Sequence, residues 1–90
     1  MTNMTIAQAP SGIHVVVETD KTIFIGRFAA LQGNTVRMLD AAAHAVISSQ
    51  AAEDYIRQTA RYGVEVEHRE LEFEANSIRR VRKLGDVPKA

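Results

Sequence analysis

One short run concentrates the side chains that could grip a ligand: Arg79-Arg80-Val81-Arg82-Lys83. A guanidinium offers a planar fork of N–H donors that fits phosphate or carboxylate two bonds at a time. Written on a strand, Arg80 and Arg82 share one face, while Arg79 and Lys83 share the other and flank Val81. Two roles are open to such a run. It can bind nucleic acid or a nucleotide, with Arg79, Arg80, Arg82 and Lys83 as the contact residues. Alternatively it is structural, either as charge that guards an edge strand against aggregation or as the partner of the acidic strand carrying Glu70, Glu72 and Glu74. Aromatic stacking partners for bases are scarce. Tyr55 and Tyr62 stand seven apart on one side of a helix, where rings pack. Structural pairing is therefore the expectation, and nucleic acid or nucleotide binding the alternative.

The other reactive residue types form no comparable group. His14, His44 and His68 are far apart in sequence, with no local chelating pair. There is no cysteine to serve as nucleophile or thiolate ligand. Ser48 and Ser49 read as helix caps, and neither lies in a nucleophile-elbow sequence. Glu65, Glu67, Glu70, Glu72 and Glu74 alternate as a solvated strand face does and lack calcium-loop spacing. Gln32-Gly33-Asn34 is a hairpin turn, too short to cradle phosphate. No catalytic residue, metal site or cofactor is assigned.

The chain that must position these groups has 90 residues, enough for one small domain. A domain of this size has a modest core, and without cysteine it has no disulfides to help it. Self-association is the addition to expect, so a homo-oligomer is the expected state. The formal net charge is zero, which argues against a general DNA-coating protein. Its distribution is uneven. The segment 48–75 holds three cations against seven anions, a balance of −4, and the segment 76–90 holds five against one, a balance of +4. The first ten residues have neither a basic start nor a continuous apolar run, so no signal peptide is expected. No stretch is apolar enough to span a bilayer. Together with the missing cysteines, this leads to the expectation of a cytoplasmic protein without membrane contact.

Three β-rich runs fill residues 12–40. Ile13, Val15 and Val17 alternate in the first, and Thr19-Asp20-Lys21 turns the chain. In the second, Thr22–Leu31, Ile23 and Ile25 face one way and Phe24 and Phe28 the other, with Gly26 marking a bulge or sharp bend. Gln32-Gly33-Asn34 turns into Thr35–Leu39. Asp40–Ile47 stays open: its alanines favour helix, yet it could continue the strand or cross a barrel end, and irregular or strand is preferred. Ser49–Tyr62 is the clear helix, with a serine cap, Glu53 and Asp54 early, Arg57 and Arg61 late, and Gly63 at its end. Ala52, Tyr55, Ile56, Thr59 and Ala60 form its half-apolar stripe. After it, Val64 and Val66 have one parity and Leu71, Phe73 and Ala75 the other, which requires a turn or bulge within 67–70. Leu71–Ala75 and Arg79–Leu84 are the last two strands. Residues 1–11 and 85–90 are read as tails around a domain at 12–84.

This layout is similar to the Sm-like and SH3-like small β-barrels. The resemblance rests on Phe24-Ile25-Gly26-Arg27-Phe28 with its bend glycine, on Gly33-Asn34-Thr35-Val36, and on Asn76-Ser77-Ile78 before a last short strand. The helix is then an insertion between the third and fourth strands. The resemblance implies a mainly β, five-stranded, strongly bent antiparallel barrel, a fold that more often binds or assembles than catalyses. Sm-like RNA binders carry Asp-x-x-Met-Asn where this chain has Leu31-Gln32-Gly33-Asn34-Thr35. Their Ile/Leu-Arg-Gly-Asp/Asn motif is not matched by Glu74-Ala75-Asn76-Ser77. No RNA-contact residue is carried over. The order of elements also resembles short phage and prophage proteins of uncharacterised function. The expected role is a non-enzymatic module that self-associates and acts by binding or assembly, with RNA or nucleotide binding as the alternative.

Overall fold

Period-two alternation is realised as strand in five runs, while the alternating Val64-Glu65-Val66-Glu67, expected as the return to strand, has no regular structure. In the computed structural model, which describes residues 5–87, the strands are β1 (His14–Thr19), β2 (Thr22–Gln32), β3 (Thr35–Ala45), β4 (His68–Glu74) and β5 (Ile78–Lys83), with helix α1 (Ser49–Tyr62) between β3 and β4. All pairings are antiparallel, in the order β4-β3-β2-β1-β5. Among the described residues β4 and β5 do not pair, so this is one open five-stranded sheet with a helix. The closed ring of strands expected of a barrel is not present in it.

The sheet is nevertheless sharply bent, and two bulges cause it. Ile25 pairs with Ala42 and Arg27 with Leu39, so Asp40 and Ala41 both oppose Gly26. The extra residue is absorbed at Asp40, whose φ of +48° lies in the left-handed region that aspartate tolerates better than most. A Cβ on Gly26 would lie 2.5 Å from Ala41 Cβ and 2.7 Å from Ala41 Cα. Only glycine lets the strands approach this closely. A second shift, between Phe28 and Ala30, sets Ala29 in excess on β2. The consequence is visible in Phe24 and Phe73. Their partners on β3 are Ala43 and Val36, which a straight strand would hold about 23 Å apart. Yet the two rings stack with centroids 4.2 Å apart. The long strand β3 therefore includes the segment left open by the sequence, running as strand through Ala45 and folding over at Asp40.

Each face of the sheet has its own core. On the inside of the bend, Val15, Val17, Phe28, Val36, Met38, Ala41 and Val81 are buried together, with Phe24, Leu71 and Phe73 against them. On the outer face, Val16, Ile23 and Ile25 are covered by Ala52 and Ile56 of α1. Ser48 Oγ accepts from Ala51 N–H at 3.1 Å and caps the helix. Gly63 ends it at φ +92°, ψ 169°, a positive φ with extended ψ rather than the left-handed helical turn that commonly closes a helix. The chain then runs without regular structure to β4. Val64 packs with the helix-side core and Leu71 and Phe73 with the other, which is how the conflict of parity is resolved.

The two tails also need correction within the described residues. Ile6–Gln8 forms a 3-10 turn, and Ile6 and Ala9 are buried in the inner core. At the other end Leu84–Asp86 forms a similar turn and Val87 is buried under α1. Residues 1–4 and 88–90 of the expected tails lie outside the described range.

Candidate functional site

The basic run forms β5, and its register against β1 decides what it can do. Val17 pairs with Val81, Val16 with Arg82 and Glu18 with Arg80. Val81 is buried in the inner core, so Arg80 and Arg82 must point to the helix side of the sheet. There they meet Glu18 of β1 and Glu53 of α1. Arg80 grips Glu18 with two bonds, Nε to Oε2 at 2.5 Å and Nη2 to Oε1 at 2.9 Å. Arg82 Nη2 donates to Glu18 Oε2 and Glu53 Oε1, both at 3.3 Å. Two cations thus face two anions. The Arg80 guanidinium is held above its ordinary pKa by the hydrogen bond to Glu18, against the opposing effect of burial.

Burial sets Arg82 apart from a ligand-binding residue, while the partly exposed Arg80 is held by its two bonds to Glu18. The Arg82 side chain is 5% exposed, and its Nε has no hydrogen-bond partner. Of the other two, Arg79 lies 2.6 Å from Asp20 at the surface, and Lys83 is exposed with no ion pair among the described residues. The sequence expectation that the run pairs with Glu70, Glu72 and Glu74 is therefore corrected. β4 and β5 lie at opposite edges of the sheet, and Glu70 and Glu72 pair instead with Arg37 across β3–β4, at 3.7 and 3.6 Å. Pairing itself is found; its partners come from β1 and the helix.

A second grouping was not visible in the sequence. On the opposite flank of α1 a cleft of about 330 Å³ opens toward β3 and the segment after the helix. His44 and Tyr55 stack there, ring centroids 4.0 Å apart and planes 10° from parallel. Gln58, Thr59, Tyr62, Gly63, Glu65 and Glu67 complete the wall. Glu67 is fixed by accepting from Ala43 N–H at 3.1 Å, and its own N–H donates to Ala41 O at 3.0 Å. Burial pushes the Tyr55 phenol up, the Glu67 and Glu65 carboxylates add to this, and the hydrogen bond with Thr59 opposes it. The signal available beforehand was the seven-residue spacing of Tyr55 and Tyr62, which does place both on one flank. What could not be read was the path that returns Glu65 and Glu67 to the same place.

The remaining candidates are dispersed. His14 and His68 are exposed on β1 and β4, apart from His44. Among the described residues no three His, Asp or Glu side chains converge as metal ligands would. Ser48 Oγ is used as a cap and Thr59 Oγ1 donates to Tyr55 O at 2.9 Å. Among the described residues no helix is long and apolar enough to cross a membrane. Compared with known proteins, the chain matches no family model, no curated protein and no solved structure.

Proposed function

We propose that this chain is a non-enzymatic assembly module of the Sm-like or SH3-like small-barrel type, whose copies join through the two open edges of the sheet. The observation that carries this reading is the contrast between those edges. Strand β4 bears three glutamates and one arginine, while β5 bears four cations and no anion. No strand pairs with the outer side of either among the described residues. An unpaired edge is a template for another strand, and opposite charge selects which edge it meets. Joining β4 of one copy to β5 of the next is a heterologous contact, which makes rings if the rotation closes and filaments if it does not. The module would work in the cytoplasm, in keeping with a chain that has no cysteine.

The test is the native mass of untagged protein at micromolar concentration, measured with its ultraviolet absorbance ratio. The expected result is a multimer without nucleic acid. Glu72→Lys with Glu74→Lys should reduce it to a folded monomer, because the acidic edge would then repel β5. A monomeric parent would overturn the reading. The alternative, nucleic-acid or nucleotide binding through Arg79, Arg80, Arg82 and Lys83, would show as co-purifying absorbance at 260 nm that salt removes. It requires the Arg80–Glu18–Arg82–Glu53 pairs to open, which is why assembly is preferred.

A further inference from the structure

We infer that the cleft between β3 and the C-terminal half of α1 binds one organic cation of the alkylammonium type, with His44, Tyr55 and Tyr62 as its walls and Glu65 and Glu67 as its counter-charges. This stands apart from the edge-to-edge reading, since none of these residues belongs to β4 or β5.

The sign of the cleft comes first. Its lining contains two carboxylates and no lysine or arginine. Several carboxylates elsewhere meet cations: Glu18 and Glu53 hold Arg80 and Arg82, Glu70 and Glu72 hold Arg37, and Asp40 holds Arg27. Three rings line the same space, and the face of an aromatic ring attracts a cation within about 6 Å of its centroid. The chain already shows this chemistry at the cleft's rim, where the Arg61 guanidinium carbon lies 5.3 Å from the Tyr62 centroid.

Shape and chemistry narrow the class. The volume is at the small end of ligand pockets, suited to a charged head and a few methylenes. Tyr62, which lines the cleft, is 76% exposed and offers apolar surface to an alkyl stem. A metal ion is disfavoured because three ligands do not converge. An anion would meet the Glu65 and Glu67 carboxylates, with no lysine or arginine in the lining to offset them. Glu67 is held in place by Ala43 N–H before any ligand arrives, so its side chain has little freedom to lose on binding.

The experiment is a titration of the isotope-labelled full chain followed by backbone amide shifts. Tetramethylammonium chloride is compared at constant ionic strength with sodium chloride and with the uncharged isostere tert-butanol. Expected are saturable shifts at Ala43, His44, Tyr55, Thr59 and Gly63 with the tetramethylammonium ion alone. In Glu65→Gln/Glu67→Gln, the affinity should fall about fivefold or more while the rest of the spectrum is unchanged. Equal shifts with tert-butanol, or only the drift seen with sodium, would overturn the proposal, as would full affinity in the double variant. Two further probes locate the natural source: tighter binding of Nα-acetyl-lysine methylamide than of spermidine assigns a lysine side chain of a partner, and the reverse order assigns a free polyamine.

Discussion

Each flank of α1 carries a pair of glutamates, and the two pairs behave in opposite ways. On the β5 flank, Glu53 joins Glu18, Arg80 and Arg82 in a cluster of opposed charges whose central arginine is almost out of water. On the β3 flank, Glu65 and Glu67 line an open cleft with rings and without a lysine or arginine in its wall. The first arrangement ties the helix to the sheet through Glu53; the second ties the segment after the helix to β3 through Glu67 and leaves charge facing solvent. The lesson is that a cluster of like charges in sequence says little until its partners are known. In the most conspicuous basic run Arg79, Arg80 and Arg82 proved to be paired, and Lys83 alone has no ion pair among the described residues.

The comparison can be broken most forcefully at Glu18. Replacing it with alanine leaves Arg82 buried with Glu53 as its one remaining partner. Glu18→Ala should cost about 3 kcal/mol, the lower end for breaking a buried pair because Glu53 remains. Thermal or urea unfolding checks this, and a loss below about 1 kcal/mol would mean that the cluster is well solvated after all. On the other flank the sensitive point is the backbone. Gly63→Ala should cost about 1–2 kcal/mol, since its φ of +92° with extended ψ is strained for any residue with a Cβ although there is room for one. A neutral or stabilising effect would show that the helix can end differently and that the cleft wall is not fixed by this residue.

The smallest effect sharpens the contrast without unfolding anything. In Tyr62→Phe, Tyr55 is the one remaining tyrosine, and its phenolate absorbance should rise at higher pH than the ordinary value near 10. The raised value means that the protonated phenol is favoured by the fold. That stabilisation is in place below the ordinary value and is lost as pH climbs through the folded-state value. Adding Glu65→Gln and Glu67→Gln should move the titration part of the way back, because burial remains the larger cause. No movement would show that the carboxylates do not act on the ring.

What could be read from residues alone was whatever depends on near neighbours. The cap at Ser48, the buried stripe of Ala52, Ile56 and Thr59, and the opposed faces of Ile23, Ile25 and Phe24 follow from periods of 3.6 and 2, and all are present. Gly26 signalled a bend because an isolated strand glycine usually means close backbone approach, and Ala41 is what approaches. The partner of the basic run was misread because it is fixed by the β1–β5 register, a contact between residues far apart in sequence. The cleft was missed for a similar reason: His44, Tyr55 and Glu67 come from three segments. The buried ends went unnoticed because Ile6, Ala9 and Val87 are isolated apolar residues in polar surroundings, with no period to betray them.

The pairing of β1 with β5 also governs the order in which the molecule can come together. Hairpins β1–β2 and β2–β3 close over short turns and can form early. Val15 must wait for Lys83, and Glu18 for Arg80, so the inner core lacks Val81 until nearly the whole described chain is in place. A loop of that length is entropically costly to close before its contacts repay it, which places the fold among the slow, milliseconds-to-seconds class for its size. During that interval β1 presents a valine-rich edge with no neighbour. Crowded, newly made chains would be most vulnerable to mispairing at that edge, and the arrival of β5 would be the step that ends the exposure.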